Sequence, residues 1–463
     1  VDPIAQTTSG TVRGREAGGV STFQGIPYAA PLDGIRRFQA PAPPEPWDGV
    51  RSAVRFSADP PQGTLMPGLP SPWQPWNNTE CLTVNVWTPD PSTSGLPVLV
   101  WIYGGAFLIG TASEPEYDGA VLARDGAVVV TLNYRVGFEG FGWLPDAPQN
   151  RAFLDQLAAL RWVRENIAQF GGDPDNVTIF GESAGGTSVA ALTACYAGRG
   201  LFRRAIGQSI AGGFLPESRA RRTSERIAGE LGVPATIEGF ARLPSEEIHR
   251  VQRAPGEITP YGPVIDGDLV RGNPWKGLRA EVDLIAGFTR DEYRLFALNE
   301  DLTTKDPAET AARYGVSVQD YRAAYPELSD GDLHVLISSD AIFRMPTVWC
   351  AEKHAGHSFC YELTWPTPSL GGALGACHGL DVPLTFGNFE GPMAALVLGD
   401  PIPQEAEYLS AEIRKAWLSF AATGDPGWPE FRAGESLTRI WDSPVSVAAD
   451  PEAASRKIWE KTT

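Results

Sequence analysis

Ser183 stands in the run 176–186, N-V-T-I-F-G-E-S-A-G-G, where β-formers (Val177, Thr178, Ile179, Phe180) give way to small residues and then to helix-capable text at 188–192. A serine on a tight strand-to-helix turn of the form G-x-S-x-G projects its hydroxyl oxygen. Strand and helix then pass so close that only glycine fits two places to either side. The pattern predicts a nucleophile. Such a serine needs a general base within hydrogen-bond reach, an acid to orient that base, and N–H donors aimed at a developing oxyanion.

Five histidines are available. His249 falls in charged helical text, His334 follows acidic residues, and His354 and His357 flank a glycine at a helix end; each reads as a surface or packing residue. His378 lies in the glycine-rich stretch 371–379, G-G-A-L-G-A-C-H-G, where a loop can hold a side chain over the edge of a sheet, and it is the expected base. With the order serine, acid, histidine, the acid falls between 183 and 378, where Asp283, Asp291, Glu292 and Asp340 all qualify. Asp291 and Glu292 follow a strand's carboxyl end, the favoured place in an open sheet. The residues alone do not separate these two neighbours. Glu182, whose side chain starts on the opposite side of the bend, is expected to hold a water or a backbone group. The oxyanion donors are expected from Ala184, next to the nucleophile, and from Gly105 and Ala106, where small residues let the backbone approach a substrate.

The elements that must position these groups are legible around them. Residues 82–88 alternate as a strand, 97–103 (P-V-L-V-W-I-Y) and 128–133 are apolar runs suited to a sheet covered on both faces, and Phe153, Leu154, Leu157, Leu160, Val163 and Ile167 recur at helical spacing. Further strands are predicted at 283–287 and 359–363, an edge segment at 261–267, and a hairpin within 10–30 around Gly18-Gly19. Helical text fills 218–253 with a break at 243–245, then 304–326, 340–355 and a last helix at 406–421 that closes the body. The stretch 31–77, dense in proline and tryptophan, predicts an ordered loop folded over the body with tryptophans rimming a cleft. Strand, helix, strand at this spacing means right-handed crossovers and a largely parallel sheet, hence an α/β protein. No repeat or low-complexity linker divides the text. One catalytic domain over 1–463 is expected, with wall segments over the site near 57–80, 213–260 and 295–345.

Composition narrows the classes. A formal net charge of −18 argues against nucleic acid and anionic membrane surfaces as partners. No run of 18 apolar residues predicts a membrane span, and the polar N-terminus carries no signal-peptide pattern. Five cysteines without C-x-x-C form neither a disulfide framework nor a zinc site, so no metal or cofactor is expected. The compartment stays open.

The motifs together resemble the type B carboxylesterase and cholinesterase family. They are F-Q-G-I-P-Y-A at 23–29, E-C-L-T-V-N-V-W-T-P at 80–89, G-G-A-F at 104–107, N-Y-R-V-G at 133–137, F-G-G-D-P-D-N-V-T-I-F-G-E-S-A-G-G at 170–186, the D-E pair at 291–292 and G-A-C-H-G-L-D-V-P-L-T-F-G at 375–387. The resemblance implies an α/β-hydrolase fold, with a large mixed, mostly parallel sheet flanked by helices and with inserted helical segments over the active site. It further implies Ser183 as nucleophile, Glu292 rather than Asp291 as acid, His378 as base, and Gly105, Ala106 and Ala184 as oxyanion donors. The activity implied is hydrolysis of carboxylic esters of small or medium acyl chain through an acyl-enzyme, with the ester and water as partners, in a bacterial monomer or weak homodimer. A lipase, a polyester hydrolase or a hydrolase of toxin or xenobiotic esters are the alternatives. An inactive binding protein of the same fold is disfavoured because all three triad members are present.

The chain also departs from the family. The usual partner of Cys81 is replaced by Pro61, Q-S-G becomes Q-S-I at 208–210, and the chain is short around 57–80 and 213–260, which implies reduced gorge walls.

Overall fold

The computed structural model describes residues 2–64, 71–254, 257 and 259–461. Its centre is an eleven-stranded sheet. In chain order the strands are β1 (Arg15–Ala17), β2 (Val20–Pro27), β3 (Thr83–Thr88), β4 (Leu96–Ile102), β5 (Val128–Leu132), β6 (Gly172–Glu182), β7 (Arg204–Gln208), β8 (Asp283–Thr289), β9 (Ser358–Leu363), β10 (Leu437–Trp441) and β11 (Ser446–Ala449). In space they run β11-β10-β9-β8-β7-β6-β4-β5-β3-β2-β1. Every pairing from β10 across to β5 is parallel, while β11 and the β3-β2-β1 edge are antiparallel.

The parallel centre follows from composition. Val98 to Ile102 and Val128 to Val130 have no exposed surface, as continuous apolar strands covered on both faces must. Helix α1 (Arg151–Asn166) delivers the chain to β6, α2 (Ala184–Ala194) packs against β6 and β7, and α4 (Gln404–Thr423) lies against β4 and β6, with α3 (Met345–Lys353) against β8 and β9. Among the described residues no helix is long and apolar enough to cross a membrane.

Buried polar links explain two of the motifs. Arg135 of N-Y-R grips Asp155 through Nε and Nη2 at 2.8 and 2.7 Å and gives Nη1 to the carbonyls of Arg37 and Gln39 at 3.0 and 2.7 Å. The proline-rich 31–42 stretch is thereby tied to the carboxyl end of β5. Leaving either partner of such a buried pair alone costs about 3–5 kcal/mol. Tyr103 and Tyr134 stack at 4.3 Å, and each hydroxyl donates to the other residue's carbonyl, at 3.0 and 2.6 Å. That reciprocal pair locks the ends of β4 and β5 and so aims the loop that begins at Gly104.

Several expectations change. The 10–30 hairpin is β1-β2 around Gly18-Gly19, but Val12 belongs to a separate strand (Gly10–Arg13) paired with Ile4–Thr7. The 261–267 segment contributes two residues, Val264–Ile265, paired with Leu215–Pro216 outside the main sheet. The chain does not close with the helix at 406–421: β10 and β11 extend the sheet, and a last helix (Ala453–Trp459) follows. Those strands are short and only partly buried at the sheet's edge, so their alternation is weak text. The tryptophans of 31–77 behave differently from one another: Trp73 is buried edge-on against His249 at 5.4 Å, while Trp76 is 80% exposed. Residues 65–70, within the expected wall segment 57–80, and 255, 256 and 258, within 213–260, lie outside the described residues. All five cysteines are buried and unpaired, Cys81 included.

Candidate active site

Ser183 joins β6 to α2 with φ 59° and ψ −124°, a conformation costly for any residue with a Cβ. Two glycines permit it. A Cβ on Gly185 would sit 2.0 Å from the carbonyl oxygen of Ile102, and one on Gly181 would sit 2.6 Å from the same atom, so strand, helix and β4 meet at a point with no room for a methyl group. Gly104 passes on the other side, where an added Cβ would lie 3.1 Å from the Ser183 Cβ.

The parallel register brings Ile102, Glu182, Gln208 and Thr289 to the same edge of the sheet, and the loops beyond them converge. Glu292, fully buried, accepts from His378 Nδ1 through Oε2 at 2.5 Å. Its Oε1 accepts from the Thr289 N–H at 2.9 Å and the Ser209 hydroxyl at 2.7 Å. The carboxylate is therefore held at both ends, and the imidazole hangs from it. Asp291 acts elsewhere. Its carboxylate accepts from Ala376 N and its own N–H donates to Ala376 O, both at 2.9 Å, which pins the His378 loop to the Glu292 loop. Asp283 lies at the opposite end of β8 beside Arg204, and Asp340 is paired with Arg344 and accepts from the Tyr321 hydroxyl.

The other ring nitrogen holds a surprise. His378 Nε2 lies 3.0 Å from Glu182 Oε1, while the Ser183 hydroxyl makes no hydrogen bond to any described residue. Glu182 thus turns toward the histidine. The expected direction is corrected: the side chain does not stay on the opposite side of the bend but lies under the His378 loop, beside the Gly379 backbone as well as the imidazole. Asp381 stands behind, accepting from Gln208 Nε2 at 2.9 Å and the Tyr361 hydroxyl at 2.7 Å. Three buried carboxyls surround one imidazole. Burial opposes the charged imidazole, but the Glu182 and Glu292 carboxyls outweigh it and push His378 up to about 9. Burial also pushes Glu182 up, with Asp381 and Glu292 adding to the effect and His378 opposing it.

The loop after β4 carries the expected donors. Gly105 (φ 110°) and Ala106 (φ 55°) turn sharply in the left-handed region, and Gly105 is forced to be glycine because a Cβ would meet Ile109 O at 2.3 Å. Their N–H groups have no backbone acceptor among the described residues. Ala184, the first residue of α2, contributes an N–H of the helix's unpaired first turn. Aromatic rings wall the site: Phe343 and Phe296 lie 4.3 and 5.1 Å from the His378 ring, and Phe107 packs on Phe141 at 4.8 Å.

The structure therefore brings Glu292 and His378 into contact and places Ser183, Gly105, Ala106 and Ala184 around the same strand ends. It does not hydrogen-bond Ser183 to His378. Sequence reasoning missed Ser209 and the two phenylalanines. Ser209 had a usable signal, since it follows the carboxyl end of β7 as Ser183 follows β6; Phe296 and Phe343 had none, because they reach His378 from inserted segments.

The chain matches the model of the carboxylesterase family over residues 1–452. It is 37% identical to the para-nitrobenzyl esterase of Bacillus subtilis (strain 168) over 98% of each chain. It is 33% identical to the phenmedipham hydrolase of Pseudarthrobacter oxydans over 97% of each. Among solved structures, a Geobacillus stearothermophilus carboxylesterase superposes with a TM-score of 0.88 at 35% identity, covering 98% of this chain and 99% of that one. A para-nitrobenzyl esterase structure gives the same TM-score and identity over 99% of each.

Proposed function

The chain belongs to the carboxylesterase family, has the α/β-hydrolase fold and is a carboxylic-ester hydrolase; from that premise we propose that Ser183, His378 and Glu292 are its triad, with Gly105, Ala106 and Ala184 as the oxyanion hole. The observation that carries this reading is the Glu292–His378 hydrogen bond beside a strained serine. His378 Nε2 moves from Glu182 to the Ser183 hydroxyl when an ester is bound, and takes its proton as the oxygen attacks the carbonyl carbon. The three N–H groups receive the negative charge. Collapse expels the alcohol, which takes the proton from His378; water then enters and loses a proton to His378 as it attacks the acyl carbon, and His378 returns that proton to Ser183 Oγ as the acid leaves. Glu292 holds the ring in the tautomer that leaves Nε2 free to accept.

We read residues 1–463 as one catalytic unit, since the strands of a single sheet are drawn from Arg15 through Ala449. The preferred esters carry small or medium acyl chains. Support comes from the rings of Phe296 and Phe343 against His378 and from the fully buried Ile210, which fills the space behind β7. An acyl-length series of p-nitrophenyl esters, run beside an emulsified triglyceride, tests this. kcat/KM should peak at butyrate or hexanoate and the emulsion should turn over poorly; a maximum at long chains with activation at the oil surface would make the protein a lipase instead.

Glu182 should set the pH range. At the contact observed, its negative charge favours the imidazolium form, in which His378 cannot act as base. Glu182→Gln withdraws that support, the histidine loses its proton at lower pH, and the acid limb of the kcat/KM profile moves down by roughly one to three pH units. An unmoved limb would mean that Glu182 does not act on His378 in the working enzyme.

A further inference from the structure

At the opposite edge of the sheet, where β6, β7 and β8 begin, the surface holds a cleft of about 370 Å³ lined by Arg164, Arg199, Arg203 and Arg279 together with Asp175 and Glu281. We infer that this cleft is a binding site for a compact, multiply charged oxyanion of the phosphate class, separate from the catalytic centre. Four guanidiniums face two carboxylates, a surplus of two positive charges in a chain whose formal net charge is −18. Arginines would be expected to disperse among the many available acids; here they converge on one concavity.

The pairing within the cleft is incomplete. Asp175 is taken by Arg164. Glu281 is shared between Arg199 at 3.6 Å and Arg279 at 3.8 Å, distances of charge attraction without a hydrogen bond. Arg203 has no carboxylate partner among the described residues. Arg279 is positioned in advance: its Nε donates to Thr193 O at 2.8 Å at the end of α2, and its guanidinium lies 5.1 Å from the centre of the buried Phe202 ring. Burial holds the Arg279 guanidinium below its ordinary range, with Glu281 and Cys195 opposing the shift and Arg199 adding a little to it.

The ligand class follows from the donors. Planar guanidinium forks match the paired oxygens of phosphate, and several of them around one hollow suit an anion of charge two or more. A concave site of this size admits a free small anion more readily than the plane of a bilayer. Ser183 follows the strand near whose start Asp175 lies, so the two sites are roughly 25 Å apart at about 3.3 Å per residue. The cleft is thus independent of the triad reading.

Isothermal titration of the full chain with sodium pyrophosphate, at ionic strength fixed with sodium chloride, tests the proposal. Saturable binding is expected, weakened about a hundredfold in the double variant Arg199→Ala/Arg203→Ala, because each of the two lost charge-assisted contacts is worth about a factor of ten. Arg203→Lys, which keeps the charge, should retain part of the affinity. Both variants should hydrolyse p-nitrophenyl butyrate as the parent does, which separates loss of the anion from loss of the fold. Absent saturation, or equal binding by parent and double variant, overturns the proposal. So does co-sedimentation with phosphatidic-acid vesicles without pyrophosphate binding, which would mark a lipid-facing patch instead.

Discussion

Ser183→Ala should lower kcat for p-nitrophenyl butyrate by a factor on the order of 10⁴ to 10⁶, with KM little changed and with labelling by a fluorophosphonate abolished. The size of the effect follows from covalent catalysis: without the hydroxyl, water must attack directly, and only binding and the oxyanion donors remain to help it. The fold should tolerate the change. The positive φ of residue 183 is imposed by the packing of Gly181 and Gly185 on Ile102, and alanine bears the same Cβ in the same strained turn as serine. The Ser183 hydroxyl has no hydrogen bond to a described residue to lose, so the urea midpoint should stay near that of the parent. A variant that keeps more than a few per cent of the parental rate would remove Ser183 from the role of nucleophile.

Glu292→Gln should cost about 10⁴ in kcat at neutral pH, again with little change in KM. One carboxylate oxygen accepts from two donors, Thr289 N–H and the Ser209 hydroxyl, while the other accepts from His378 Nδ1. An amide has one oxygen and one NH₂ group. If the oxygen keeps Thr289 and Ser209, the NH₂ faces Nδ1, which must then become the acceptor; the proton moves to Nε2, and the ring can no longer take the Ser183 proton. The opposite rotamer points NH₂ at the Thr289 N–H, which can only donate, in a site with no exposed surface, at a cost of about 1–3 kcal/mol for a buried group left unsatisfied. Glu292→Asp makes the distinction sharper. It keeps the charge but shortens the reach, so it should retain more activity than the glutamine variant; equal losses in the two would mean that position, and not tautomer, is what Glu292 controls.

Much of this site was present in local text. The bend at Ser183 is readable because its requirements are local: β-formers, then residues too small to block a helix crossing a strand, at fixed offsets. The turn at Gly105 and Ala106, the proposed donors, is readable for the same reason, an apolar strand followed by small residues. His378 could be picked from five histidines by its glycine-rich surroundings, and chain order confined the acid to a few residues. Local text could not choose between Asp291 and Glu292. They are adjacent and equally acidic, and resemblance favoured the second before geometry showed the two side chains in different places, one at the imidazole and the other at the backbone of Ala376.

Other features had no local signature. The edge strands β10 and β11 are short and half-exposed, and only the pairing of β10 with β9 and of β11 with β10 reveals them as sheet. The rings of Phe296 and Phe343 come to His378 from segments 82 and 35 residues away in the chain. The direction of the Glu182 side chain could not be read locally, because at a strained bend it depends on which loop lies over it. By itself, then, the sequence determined the fold class, the strained turn at Ser183 and the small set from which the proposed base, acid and oxyanion donors are drawn, since those depend on residue type and short spacing. Only the tertiary structure decided that Glu182 faces His378, that Ser209 and Thr289 share Glu292, and that four arginines meet at the far edge of the sheet. Each of these contacts joins strand ends or loops brought side by side by parallel register, and register is a property of the assembled sheet.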